Sequence, residues 1–354
     1  MNILIVTTRY LGDCLLASSL AGPIKARWPD AHVSVLTFTA NKAILEGVAE
    51  IDEILTVEPR PSKWRQAAQL LGLRRRYDWA VVTQPSTRAM LYGLFGAKKQ
   101  TAWENAADHR GWWKRALISH QVPRPGGHWL AQAAALLSPL MGETPNVRPL
   151  CPDAPLPDDI DRKAASRPYV VFQMCSRYRD KNWTTAGWLE IARDQLARGR
   201  NIFLTGGNGE LERRSANELV ETLGADRVCN VCARLSFGQS ARLIRGAQGF
   251  IGVDTATSHV AGASGTPTLA LFGPTPPSEW GPAPCEGAPE YRNDLPRQSA
   301  GNVTVLKDAR FLGCAQCSRH RCPKSADPET GFCMTSLAPS SVIEAFNALV
   351  VRGG

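Results

Sequence analysis

A carboxylate beside a glycine, Gly12-Asp13, follows the apolar run NILIVTT at residues 2–8. An aspartate placed there has two readings: it caps the following helix, or it points into a cleft as a general base that takes a proton from an incoming hydroxyl. In QMCSRYRDKNW, Ser176, Arg177, Arg179 and Lys181 share one loop ahead of a helical stretch. A hydroxyl and several cations near a helix N-terminus suit a diphosphate, whereas the same charges on a solvated loop need no ligand. The turn Thr205-Gly206-Gly207-Asn208-Gly209 has Glu210 and Glu212 beside it, able to accept hydrogen bonds from ribose hydroxyls. The densest signal is GFIGVDTATSHVAGASGTPTLALFGPTPPSEWGP. Asp254 ends an apolar run there, and Thr255 and Ala256 open a helix whose unpaired N–H groups and positive dipole end suit a phosphate. His259 lies one turn further. A single histidine in an Ala/Gly helix is commonly a packed, hydrogen-bonded residue, but behind an Asp-Thr turn it is also a candidate ligand contact.

Parallel α/β sheets bind ligands beyond the carboxyl ends of their strands, so these turns need strands behind them. NILIVTT, HVSVLTF, EILTV and DWAVVTQ are strand-like in the first half. YVVFQMC, NIFLTGG, GFIGVD and PTLALFG are strand-like in the second, with helical stretches between them. Strands alternating with helices predict α/β architecture with a doubly wound parallel sheet in each half. CPDAPLPDDIDRKAASRP, rich in Pro and Asp without apolar periodicity, predicts a linker. The expected domains are therefore 1–155 and 165–337, two Rossmann-like units, with the amphipathic helix at 339–350 docking back on the first. No G-x-G-x-x-G or Walker A sequence occurs, which removes the best support for dinucleotide oxidoreductase or P-loop chemistry.

At 354 residues the chain is long enough for two cores. Hydrophobic content of 44% with 21% charged residues describes an ordinary globular protein. A formal net charge of +9 favours anionic partners without choosing among nucleotides, glycans, lipid headgroups and nucleic acid. Apolar stretches fall short of the ~20 residues of a membrane span, and MNILIVTTRYLGD reads as a buried strand without signal-peptide character, so a cytoplasmic location is expected.

Of ten cysteines, four cluster as Cys314-x2-Cys317-x4-Cys322-x10-Cys333. The spacing is ligand-like for zinc or iron–sulfur, but it lacks a clean second CxxC knuckle, and a cysteine-rich loop packed as small apolar side chains or closed by a local disulfide accounts for it better.

The ordered motifs ILIVTTRYLGD, RDKNW, GVDTATSHVAGASGTPTLALFGPT with its trailing WGP, and the cysteine cluster ending in Cys333-Met334 together resemble the ADP-heptose:lipopolysaccharide heptosyltransferases, glycosyltransferase family 9. The resemblance runs nearly end to end. It implies a GT-B fold, with two Rossmann-like domains facing an interdomain cleft, an acceptor-binding first unit and a nucleotide-sugar-binding second unit. It implies that Asp13 deprotonates an acceptor hydroxyl, which displaces the nucleotide in one inverting step. Ser176, Lys181, Asp254, Thr255, Ala256 and His259, with Glu212, would hold the ADP-heptose donor, Lys181 also acting catalytically. No cofactor or metal is required on this pattern, the ADP-sugar being a substrate. Ala256 stands where Gly is frequent, Arg9-Tyr10 replace small residues, and Pro276 replaces a common Asp.

Acceptor recognition would fall to first-unit cations meeting an anionic glycolipid, a hydroxyl of the lipopolysaccharide inner core. Lys63 and Arg65 are the candidates, with Arg74 to Arg76 and HRGWWKR from His109 as further basic segments; a solvated helix face is the alternative for each and the better reading of Arg74 to Arg76, and the Trp-Lys segment equally suits a membrane surface. Peripheral contact with the inner-membrane surface is expected, and no nucleic-acid module is apparent. The competing readings are a GT-B transferase using another nucleotide-sugar for a different surface glycan, and a non-catalytic nucleotide-sugar binder. Turnover separates the second from the first.

Overall fold

The structure, a computed structural model, describes residues 1–104, 116–312, 314, 322–325 and 331–353. It divides into two compact units, Met1–Pro152 and Asp153–Gly354.

The first unit runs β1 (Asn2–Val6), α1 (Leu11–Ser18), α2 (Ala21–Arg27), β2 (His32–Phe38), α3 (Lys42–Leu45), β3 (Glu53–Val57), α4 (Lys63–Leu73), β4 (Tyr77–Val82), α5 (Thr87–Gly96), β5 (Ala97–Trp103) and β6 (His120–Val122), followed by two short helices. Its strands are parallel in the order β3-β2-β1-β4-β5-β6. Ile3 to Val6 are wholly buried because β1 lies between β2 and β4, with Ile3 registered on Val33 and on Trp79. Such a strand is apolar on both faces, which explains its continuous rather than alternating pattern.

The second unit repeats the plan with β7 (Tyr169–Gln173), β8 (Asn201–Thr205), β9 (Val228–Asn230), β10 (Gly249–Val253), β11 (Thr268–Leu271), β12 (Arg297–Ala300) and β13 (Val303–Leu306). The order is β12-β13-β11-β10-β7-β8-β9, parallel except for β12 against β13. In both sheets the strand order reverses beside the first strand of the unit, between β1 and β4 and between β7 and β10. Chains leaving such neighbours diverge to opposite faces and leave a crevice at the carboxyl edge.

Two expectations are corrected. Residues 158–165, read as linker, form a helix, Asp158–Ala165, anchored by a single buried side chain, Ile160, too sparse to show as periodicity. The terminal helix, expected on the first unit, packs into the second: Val342, Ala345, Phe346, Leu349 and Val350 are buried in the second unit's core with Ile191, Ile251 and Leu269. Its apolar stripe matches the uncovered side of that sheet, and burial there removes more surface from water than a contact with another unit's exterior.

Candidate functional site: strand-end clusters in each unit

The second unit's switch point gathers most of the expected residues. Lys181 ends a 3-10 turn, Arg179–Lys181, in the loop after β7, and Asp254 follows β10. Their side chains meet at 2.6 Å, Lys181 Nζ donating to Asp254 Oδ2, with both largely buried. Burial alone would raise the Asp254 pKa. The charge and hydrogen bond of Lys181 outweigh it, helped by a hydrogen bond from Thr275 and by His259, and the carboxyl is held below its ordinary range.

The loop is fixed from both sides. Ser176 N–H donates to Asn182 Oδ1 at 2.7 Å, Tyr178 N–H donates to Ser176 Oγ at 3.2 Å, and Trp183 Nε1 donates to Leu337 O at 3.0 Å. Trp183 lies against Gly187, where a Cβ would come within 2.4 Å of the ring, so only glycine admits the indole. In the bond from Tyr178, Ser176 Oγ is the acceptor, so its hydroxyl proton is not used there.

Thr255 is the N-cap of the helix Ala256–Ala263, yet its side chain caps nothing, and its buried Oγ1 has no hydrogen-bond partner. A buried unpartnered hydroxyl beside free helix N–H groups and a lysine is a seat for anionic oxygens. Ala256 is the first helical residue, and His259 is buried one turn on, close enough to act on the charge of Asp254.

Glu212, expected as a ribose acceptor, has a local structural part as well. Gly207 N–H donates to its Oε1 at 2.9 Å and Gly209 N–H to its Oε2 at 3.2 Å, so its carboxylate closes the turn that precedes the helix Glu210–Leu223. Each oxygen keeps a lone pair for a sugar hydroxyl.

Two residues escaped the sequence reading. Thr275, after β11, bonds Asp254. Lys307, after β13, is only 7% exposed, and its Nζ reaches the Thr275 carbonyl at 3.5 Å. Burial lowers the Lys307 pKa, against the opposing charges of Cys333, Cys314 and Asp254. The signal available was position: Lys307 directly follows β13, and Thr275 lies in the Gly273-Pro274-Thr275 turn beyond β11.

The cysteine-bearing segment lies beside this cluster. The helix Phe332–Thr335 packs on the Arg179–Lys181 turn, and a Cβ on Gly331 would stand 2.2 Å from Asp180 O. Burial first, and neighbouring Cys322, push the Cys333 thiol up to about 11. Cys314, Cys322 and Cys333 carry no disulfide. Cys317 and HRGWWKR lie outside the described residues, and among those described no group of three His, Cys, Asp or Glu is arranged to hold a metal ion.

In the first unit Asp13 is the third residue of α1, whose N-cap is Tyr10, so Asp13 is not itself the N-cap residue, although its carboxylate takes the backbone N–H groups of Tyr10 and Asp13 at the helix start. Its carboxylate is buried, and among the described residues Oδ1 has no hydrogen-bond partner, Arg9 Nη1 standing 3.7 Å away. Asn41 Nδ2 donates to Arg9 O at 2.7 Å and steadies that segment. Burial raises the Asp13 pKa, only partly offset by Arg9, by two backbone N–H groups and by Arg124. A desolvated carboxylate with an open oxygen has the character of a general base. Lys63 and Arg65 are exposed at the start of α4, on the same sheet edge beyond β3, and neither pairs with Asp13.

Residues 65–287 match glycosyltransferase family 9 (heptosyltransferase). Lipopolysaccharide heptosyltransferase 3 of Escherichia coli is 27% identical over 286 residues, spanning 77% of this chain and 84% of that protein. Lipopolysaccharide heptosyltransferase 2 of Salmonella typhimurium is 23% identical over 308 residues, spanning 78% of this chain and 84% of that one. Among solved structures, the E. coli ADP-heptose lps heptosyltransferase II superposes with a TM-score of 0.73 at 19% identity, covering 99% of both chains. The glycosyl transferase family 9 structure from Veillonella parvula gives 0.75 at 15% identity, covering 99% of this chain and 97% of that one. The structural likeness establishes the GT-B fold, and with the match over residues 65–287 this chain belongs to glycosyltransferase family 9, the heptosyltransferases.

Proposed function

We propose that this glycosyltransferase moves a heptose from ADP-heptose to a hydroxyl of the lipopolysaccharide inner core, with inversion at the anomeric carbon. The observation that carries the reading is the Lys181–Asp254 pair beside the unpartnered Thr255 hydroxyl. A cation, an open helix N-terminus and an idle donor at a switch point fit a nucleotide diphosphate.

In the reaction, Asp13 accepts the proton of the acceptor hydroxyl as its oxygen bonds to the anomeric carbon. The bond from that carbon to the diphosphate breaks, and ADP leaves with the electron pair. Lys181, Ser176 and the N–H groups at Thr255 and Ala256 meet the charge that grows on the diphosphate, with His259 close by. Preorganised donors of this kind supply a large share of rate enhancement, so the step needs no metal ion. Asp254 holds Lys181 in place, and Glu212 receives a ribose hydroxyl. The E. coli heptosyltransferase WaaC structure with ADP accords with this donor class. Lys63 and Arg65 meet acceptor phosphates, and the protein works as a cytoplasmic enzyme at the inner-membrane surface.

The test is transfer by the purified chain to a heptose- or Kdo-bearing core acceptor, with ADP-heptose set against other ADP- and UDP-sugars. Product with ADP-heptose alone, unaffected by chelator, is the expected result. Transfer only from another sugar nucleotide would replace the donor, and ADP binding without turnover would leave a binding protein.

A further inference from the structure

We propose that the outer side of α4 is a docking surface for an anionic phospholipid bilayer. The helix carries two apolar stripes on opposite sides, which an 11-residue helix packed on one core does not require. Leu70 and Leu73 face inward against the first unit's core, and Gln69 accepts a hydrogen bond from Tyr92 on the same side. Trp64, Ala67, Ala68 and Leu71 follow the same helical spacing half a turn away, and all are exposed. Trp64 is 87% exposed and Leu71 65%. Nothing in the described residues covers them.

The flanking charges say what does. From Pro59 to Tyr77 the sequence has Arg60, Lys63, Arg65, Arg74, Arg75 and Arg76, with no Asp or Glu. Arg76 is engaged by Glu53 at 3.4 Å, whereas Arg60, Lys63, Arg65, Arg74 and Arg75 make no ion pair among the described residues. On the helix, Lys63 and Arg74 border the outer stripe on one side and Arg65 on the other. An apolar stripe with a tryptophan, bordered by cations and free of acids, matches an interface in which rings and alkyl groups sit among headgroups while cations meet lipid phosphates. A merely solvated basic face requires the charges but not the exposed Trp64 and Leu71.

This inference deepens the proposed function, on which it rests for its purpose: it states how the chain meets a lipid-borne acceptor. The experiment is co-sedimentation of the full chain with phosphatidylglycerol-containing vesicles and with phosphatidylcholine vesicles, across a salt series. Wild-type protein should partition onto the anionic vesicles, increasingly at low salt. Trp64→Ser/Leu71→Ser should weaken that partition about tenfold or more, since both side chains lose apolar burial. Arg74→Gln should weaken it about fivefold, the contribution of one cation near an anionic surface. Both positions are exposed, so folding is not at stake. Double-variant binding equal to wild type, or wild-type binding absent or independent of lipid charge, would overturn the proposal. Transfer to a deacylated, water-soluble core oligosaccharide reads the activity separately. The double variant should retain it, and its absence in wild type would count against the proposed reaction and leave the docking result standing.

Discussion

Lys181 Nζ stands 2.6 Å from Asp254 Oδ2, joining the loop after β7 to the end of β10, where the order of the second sheet reverses. The pair ties two neighbouring strand ends together and fixes the position of the lysine. Because folding lowers the Asp254 pKa, the stabilisation is complete above the ordinary carboxylate pKa and is lost as pH falls through the depressed folded value.

Removing one member of this pair should harm more than removing both. Lys181→Met leaves a buried carboxylate unpaired and should cost about 3–5 kcal/mol in urea denaturation. Lys181→Met/Asp254→Asn should recover most of that stability but none of the ADP affinity. Equal losses of stability in the single and double variants would show that the pair is not coupled.

Asp13 sets stability against activity. Its pKa is raised, so its contribution to folding is favourable below the unfolded pKa and is lost as pH rises through the folded value. Asp13→Asn should therefore raise the Tm at neutral pH, with the gain shrinking in acid, while transfer falls by about 10²-fold or more. In the wild type, activity should decline on acidification at a pH above the usual carboxylate range. A calorimetric series paired with a pH–rate profile measures both.

Lys307 offers a similar contrast. Burial depresses its pKa, so the folded state disfavours its charge below the folded value, and that penalty fades as pH rises toward the unfolded pKa. Lys307→Met should leave the unliganded protein at least as stable at neutral pH, yet weaken ADP about tenfold, the scale of one charge-assisted hydrogen bond. Calorimetric titration with ADP reads the effect, and unchanged affinity would limit Lys307 to a packing role.

Gly331→Ala tests the contact behind the lysine. The new Cβ meets Asp180 O at 2.2 Å, a backbone atom that must move and carry the Arg179–Lys181 turn with it. Stability should fall by about 1–3 kcal/mol and ADP affinity with it. Stability lost without any change in ADP binding would show that the turn absorbs the shift.

The sequence revealed strands that are buried on both faces and end in polar turns, which is why β1, β7 and β10 and the residues behind them were legible. It concealed β5, whose Lys98 and Lys99 interrupt the apolar pattern on exposed positions, and β12, whose residues are half solvent-facing. With β13 unread, Lys307 had no strand to follow. The residue types in the second unit's strand-end cluster were visible, but the pairing of Lys181 with Asp254 was not. It depends on β7 and β10 being neighbours, and 73 residues separate the two side chains. The placement of Gly331 beside Asp180 is likewise a product of topology, since no local pattern links residues so far apart in the chain.

The packing of residues 342–350 into the second core bears on how the protein is made. Met1–Pro152 is a compact unit whose described core cluster is drawn from Leu4 to Ile118, so that cluster can settle while later segments are still in the ribosome. The second unit lacks part of its interior until the helix Pro339–Gly353 has emerged, and the Trp183 indole has no Leu337 carbonyl to bond before then. Completion of the second unit's core is therefore a late event in synthesis, reached only as the segment 339–353 folds back onto strands laid down long before.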